Sequence, residues 1–111
     1  IADEIKHALG NLIENAFESS DYTHEIEIST YRNNRHTFID IRDYGKGIPI
    51  ERLRDLSRMF SSTRGEGRGL GLSITKNIIE RHGGYIDFKS IENKGTLFSI
   101  AFPIRERRKV I

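Results

Sequence analysis

The sequence predicts an α+β chain folded as a two-layer α/β sandwich, with a largely antiparallel or mixed sheet and all its helices on one face. Three observations carry this. Apolar residues recur at helical spacing in three stretches and alternate with polar ones in four others. The alternating stretches come in two pairs, each joined by turn residues, which is the pattern of hairpins and not of parallel crossover units. With the strands paired in this way, the helical stretches can bury their apolar stripes together only by covering one side of the sheet.

The elements follow in order. From Asp3 to Ser19 the residues Ile5, Ala8, Leu9, Leu12, Ile13, Ala16 and Phe17 form the i, i+3, i+4, i+7 stripe of an amphipathic helix, with Asp3 as its N-cap. Asn11 and Asn15 lie on one line of that helix, beside the buried stripe. Asparagine is a middling-to-poor residue for a helix interior. The pair is therefore either two surface amides in chance alignment or two amides facing a polar ligand. Residues 21–24 connect to an alternating strand from Glu25 to Arg32, Asn33-Asn34 supplies turn chemistry that tolerates positive φ, and a second strand from His36 to Arg42 puts Ile39 and Ile41 on one face.

That strand ends in Asp43-Tyr44-Gly45-Lys46-Gly47-Ile48-Pro49. Taken by itself this is a plain turn, since Asp, Gly and Pro are the usual turn residues. The same residues also suit a flat ligand, which can approach a backbone without side chains while the carboxylate bonds its edge. Pro49 fits the first turn of a short helix from Ile50 to Met59, carrying Ile50, Leu53 and Leu56. Residues 61–68 hold no apolar residue and read as a mobile loop. Helical spacing resumes from Leu70 to Arg81, with Leu70, Ile74 and Ile78 on one row and Ile79 beside them, and Gly83-Gly84 is its C-cap. Two further strands follow. Tyr85 to Ile91 turns Ile86 and Phe88 inward; Thr96 to Phe102 does the same with Phe98, Ile100 and Phe102.

Composition narrows the function. The chain has 111 residues, a single domain able to bury one core. It has no cysteine, which excludes disulfides and thiolate metal sites and suits the cytosol. No apolar run approaches the length of a membrane span, and no signal peptide is visible. The formal net charge is only +2, with basic residues gathered at 52–68 and in a solvated tail at 105–109. Neither nucleic acid nor direct membrane contact is expected. The helical pattern is already under way at Ile1, as in a domain cut from a longer protein.

The stretch with most chemistry is Gly67-Arg68-Gly69-Leu70-Gly71-Leu72, a glycine-rich loop running into a helix. The free amides of a helix start, with the positive end of its dipole behind them, make a cradle for an anion. A glycine cluster is also the composition of a plain flexible loop, so other residues must decide. Arg64 and Arg68 are either phosphate ligands or solvated charges.

Three stretches together carry a resemblance. Asn11-Leu12-Ile13-Glu14-Asn15-Ala16, Asp43 through Ile48, and Gly67 through Leu72 stand in the order and spacing of the N, G1 and G2 boxes. The chain resembles the ATP-binding catalytic domain of bacterial sensor histidine kinases, from about Asp3 to Pro103. Met59-Phe60 is similar to the F box, and His82-Gly83-Gly84 and Lys94-Gly95-Thr96-Leu97-Phe98 are similar to later landmarks of that family. The resemblance implies the Bergerat fold shared with gyrase, HSP90 and MutL.

It also implies roles. Asp43 would accept from the adenine amino group, with Gly45 and Ile48 beside it in the G1 box. Gly47 would give the ring room, and Thr96 would support the same polar edge. Asn15 would place its amide oxygen on Mg²⁺, with Asn11 helping at the metal or phosphates. Gly67, Gly69 and Gly71, with Leu70 and Leu72, would carry the triphosphate at the helix start. Residues 61–68, with Arg64 and Arg68, would be the ATP lid. The acceptor would be a histidine on a separate dimerisation domain of the same protein, and a response regulator would follow it. The domain would be the cytoplasmic part of a membrane-anchored kinase.

Two departures stand out. Phe17-Glu18-Ser19 follow the N box where many members have a basic and then an aromatic residue, and the lid is short. Both features are similar to the subgroup that senses citrate and C4-dicarboxylates and to its peptide-sensing relatives. The related ATPases carry a glutamate base at the position of Asn11. Glu14 is rotated away on the helix, so transfer to a protein group is favoured over hydrolysis. Alternatives are a serine kinase of the anti-sigma type and a nucleotide-binding module without catalysis. A P-loop is excluded by the lack of GxxxxGKS or GxxxxGKT. A dinucleotide fold is disfavoured because the glycines follow a loop and not a strand. His7 lies on the polar side of the first helix, and His24, His36 and His82 lie near element ends without paired ligands, so no zinc site is expected.

Overall fold

The computed structural model describes residues 2–20, 25–61 and 70–104. The order is α1 (Ala2–Ser19), β1 (Ile26–Arg32), β2 (His36–Asp43), α2 (Ile50–Ser61), α3 (Leu70–Arg81), β3 (Tyr85–Ile91) and β4 (Gly95–Pro103). Most of the anticipated loop at 61–68, the connection at 21–24 and the basic tail at 105–109 lie outside the described residues.

The strands form one sheet in the order β1-β2-β4-β3. All three ladders are antiparallel. The mixed alternative is thus not what these strands adopt: each hairpin keeps its own antiparallel pairing, and the two hairpins meet through β2 and β4, which run in opposite directions. The register lines up apolar rows across the sheet. Ile41, Phe98 and Phe88 share one row, and Ile39, Ile100 and Ile86 the next. The Phe88 and Phe98 rings tilt against each other at 6.1 Å.

Helix α1 packs on α3 and reaches the sheet mainly at β2, while α3 covers β3. The core joins Ala8, Leu12 and Ala16 of α1 to Ile78 and Ile79 of α3 and to Ile41, Ile86, Phe98 and Ile100 of the sheet. Burial of this apolar surface is the main favourable term holding the layers together.

Several expectations are corrected by this packing. Helix α1 begins at Ala2, so Asp3 is not the cap; with Glu4 it lies in the first turn, where a carboxylate still complements the helix dipole. Strand β1 is not half-buried. It is an edge strand beyond the helices, and Ile28 is 51% exposed. Helix α3 is sandwiched between the sheet and α1, so its buried arc runs through Ser73, Thr75, Lys76, Ile78 and Ile79 and leaves Ile74 46% exposed. Helix α2 runs two residues past Met59, to Ser61. It makes no comparable packing with the sheet among the described residues, and Ile50 is 72% exposed. Asn33 shapes its turn through its side chain, whose Oδ1 accepts from the Arg35 and His36 amides at 2.8 Å each. Gly83, at φ 82°, does end α3 as expected, with the Gly84 amide donating to the Ile79 carbonyl at 2.9 Å.

Candidate nucleotide site

At the end of the sheet where β2 finishes lies an open cleft of about 280 Å³. That is close to the lower end of the range for small-molecule sites. Its sheet wall is Asp43, Thr96 and Phe98; α1 supplies Asn15, Glu18 and Ser19. The loop after β2 adds Lys46, Gly47 and Ile48, and α3 adds Leu72.

Asp43 is 3% exposed. Its Oδ1 accepts from the Gly45 amide at 2.9 Å and from the Ser19 hydroxyl at 3.3 Å. Its Oδ2 has no partner among the described residues. Asp43 lines the cleft, so the oxygen left over from these two bonds is free to accept, and the arrangement suits a ligand that brings an N–H. The adenine amino group is such a donor, and the nucleobase fits the residues present.

The loop that carries Gly45 and Gly47 is held on both sides. A Cβ at Gly45 would run into the Ser19 backbone carbonyl at the end of α1, and one at Gly47 into the Ile91 carbonyl. Gly47 also stands at φ 69°, a conformation that favours glycine. The need for glycine at both positions is thus already set by packing, before any ring is considered. The Asn93 amide donates to the Lys46 carbonyl at 2.6 Å, tying the loop to the β3–β4 turn. Tyr44 points elsewhere: its hydroxyl donates to Glu27 at 2.7 Å, with the Arg42 guanidinium 5.2 Å over its ring. The bond to Glu27 raises the phenol above its ordinary value.

The Asn15 side chain makes no hydrogen bond to any described residue, and it lines the cleft with Glu18 one turn later. These are oxygen donors, which suit Mg²⁺. No group of His, Cys, Asp and Glu among the described residues could hold a metal unaided. An ion here would need phosphate oxygens as well.

Of the sequence-predicted residues, Asn15, Asp43, Gly47, Ile48, Leu72 and Thr96 come together in one cleft. Asn11 lies one turn earlier on α1, half-buried and outside the lining. Gly45 acts on Asp43 from behind. Leu70 and Gly71 form the first turn of α3. Gly67, Gly69, Arg64 and Arg68 lie outside the described residues. Sequence reasoning missed Glu18, Ser19, Lys46 and Phe98 as cleft residues, and Ser90 behind it. Glu18 and Ser19 follow Asn15 at i+3 and i+4, a spacing that places them on its side of the helix. Ser90 continues the inward alternation of Ile86 and Phe88.

The class is a two-layer α/β sandwich with a buried carboxylate at a strand end, beside an open cleft. The chain belongs to the histidine kinase-, DNA gyrase B- and HSP90-like ATPase family, whose model matches residues 1–106. It is 38% identical to sporulation kinase A of Bacillus subtilis over 101 residues, 91% of this chain and 17% of the relative. To the sensor histidine kinase ZraS of Escherichia coli O157:H7 it is 34% identical over 107 residues, 96% of this chain and 23% of the relative. To the sensor protein SrrB of Staphylococcus aureus it is 42% identical over 107 residues, 91% of this chain and 18% of the relative. The chain thus spans less than a quarter of the length of these relatives.

Proposed function

We propose that this chain is the catalytic domain of a sensor histidine kinase, holding Mg-ATP for transfer of the γ-phosphoryl group to a histidine on a separate helical dimerisation domain of the same protein. The observation that carries the reading is the open Oδ2 of Asp43 in the same cleft as Asn15, in a chain whose relatives bear kinase names. Bound ATP would supply the phosphoryl group. The chain's own residues then have three tasks. Asp43 and Thr96 fix the base, Asn15 offers an amide oxygen to Mg²⁺, and the start of α3 at Leu70 and Gly71 faces the phosphates with unpaired amides. Positioning and charge stabilisation supply most of the rate of phosphoryl transfer.

Gly67, Gly69, Arg64 and Arg68 would complete the phosphate cradle and lid, and Asn11 would support Asn15 from one turn away. The incoming imidazole nitrogen forms the new P–N bond as the bond from the γ-phosphorus to its bridging oxygen breaks and ADP leaves. A response regulator would then take the phosphoryl group. The kinase would be membrane-anchored with this domain in the cytoplasm; no described helix is long and apolar enough to cross a membrane. The serine-kinase alternative gains nothing from the named relatives.

The test is radiolabelled ATP with this chain alone and then with the helical domain. The expected outcome is ATP binding without self-labelling, followed by acid-labile label on the helical domain. Acid-labile label on this chain by itself would overturn the assignment, and acid-stable label on a partner serine would support the anti-sigma type.

A further inference from the structure

Behind the cleft wall stands a hydroxyl that the reading above does not use. Asp43, Thr96 and Ser90 occupy one row across β2, β4 and β3, Asp43 paired with Thr96 and Thr96 with Ser90. Ser90 is not part of the cleft lining. Its Oγ accepts from the Ile48 amide at 2.9 Å, lies 2.8 Å from Thr96 Oγ1 and 3.2 Å from the Gly95 carbonyl. Ile48 and Thr96 both line the cleft, so this one side chain ties the loop wall to the sheet wall.

A hydroxyl has one proton and two acceptor sites. The Ile48 amide fills one acceptor site. The proton goes either to Thr96 or to Gly95, and the choice sets what Thr96 presents to a ligand. If Ser90 donates to Gly95, Thr96 donates to Ser90 and can only accept from the cleft. If Ser90 donates across the shorter 2.8 Å contact, Thr96 Oγ1 is satisfied as an acceptor and its own proton is free to turn into the cleft. An adenine edge has an amino donor next to a ring-nitrogen acceptor. Asp43 Oδ2 matches the amino group, so its row neighbour must donate.

We infer that Ser90 is a positioning residue for base recognition: it accepts the Ile48 amide, donates to Thr96, and so sets the Thr96 hydroxyl as a donor toward the ring nitrogen beside the amino group, directly or through one water. This deepens the ATP-binding reading and rests on it.

The test titrates the whole protein with ADP and with 1-deaza-ADP, in which that ring nitrogen is replaced by C–H, by calorimetry. Ser90→Ala should weaken ADP binding about tenfold, the loss of one hydrogen bond, and leave 1-deaza-ADP binding as in wild type. Ser90→Thr, which keeps the hydroxyl, should restore ADP binding. Without nucleotide, the Ile48 amide should exchange faster in Ser90→Ala. Should Ser90→Ala fail to fold, Ser90→Cys, a near-isostere with a weak S–H donor, should show the same split between the two nucleotides. Equal losses for both nucleotides would mean a purely structural role and overturn the inference alone. A wild-type protein that binds neither nucleotide would overturn the ATP reading and this inference with it.

Discussion

In the proposed reading, Asp43 concentrates the recognition chemistry in one carboxylate. Its Oδ1 is held by Gly45 and Ser19, which fixes the direction in which Oδ2 faces the cleft. A carboxylate accepts from the amino group of adenine but meets an oxygen in guanine. ATP is therefore expected to bind better than GTP, and Asp43→Asn, which exchanges an acceptor for a donor, should cost about 1–3 kcal/mol of ATP affinity. Calorimetry checks both, and equal binding of ATP and GTP by the wild type would count against Asp43 as the reader of the base. The proposed role of Asn15 concerns a different part of the ligand, the metal. Asn15→Ala removes one oxygen ligand of Mg²⁺ and leaves the adenine pocket, so the Mg²⁺ dependence of ATP binding should flatten while unfolding by denaturant stays near wild type. Superimposable magnesium titrations of mutant and parent would remove Asn15 from the metal.

At the scale of elements, the packing of α1 and α3 decides which apolar residues matter. Leu12 is fully buried between the helices and the sheet, whereas Ile74, which belongs to an equally regular apolar row in the sequence, is on the open side of α3. Leu12→Ala should cost about 2–5 kcal/mol of unfolding free energy. Ile74→Ala should stay within about 0.5 kcal/mol. Chemical denaturation of the two variants makes the comparison, and similar losses would mean that α3 is rotated from the position described. The end of α1 has a second task besides packing. Its C-terminal end carries Asn15, Glu18 and Ser19 to the cleft, and the Ser19 carbonyl abuts Gly45 and accepts the Lys46 amide at 3.3 Å. The helix that forms the core also seats the recognition loop.

For the whole molecule, the cleft is shared by α1, β2, β4, α3 and the loop after β2, so none of its walls exists in the unfolded chain. A ligand that binds only the assembled cleft must stabilise the fold through mass action. At a free nucleotide concentration of 100 times Kd the gain is about 2.7 kcal/mol. The midpoint of thermal unfolding should rise with added Mg-ADP by the amount its measured Kd dictates, and Asp43→Asn should abolish most of that rise. An unchanged midpoint at saturating nucleotide would contradict a site built from these elements.

The sequence by itself determined the order of elements, the two hairpins and the helix start at Leu70, and its resemblance to a known family singled out Asn15, Asp43, Gly47, Ile48 and Thr96. These are legible because periodicity, turn residues and box spacing are local properties of the chain. It also placed glycines where the backbone needs them, though for Gly45 and Gly47 the reason is contact with Ser19 and Ile91, residues far away in sequence. Only the tertiary structure decided that β1 is an exposed edge, that Ile74 faces out, that Asn11 stays outside the cleft and that Ser90 stands behind Thr96. Each of these depends on which strand lies next to which and which helix covers it. Such contacts are made between residues tens of positions apart, and the apolar pattern of one stretch holds no record of the face its neighbour will cover.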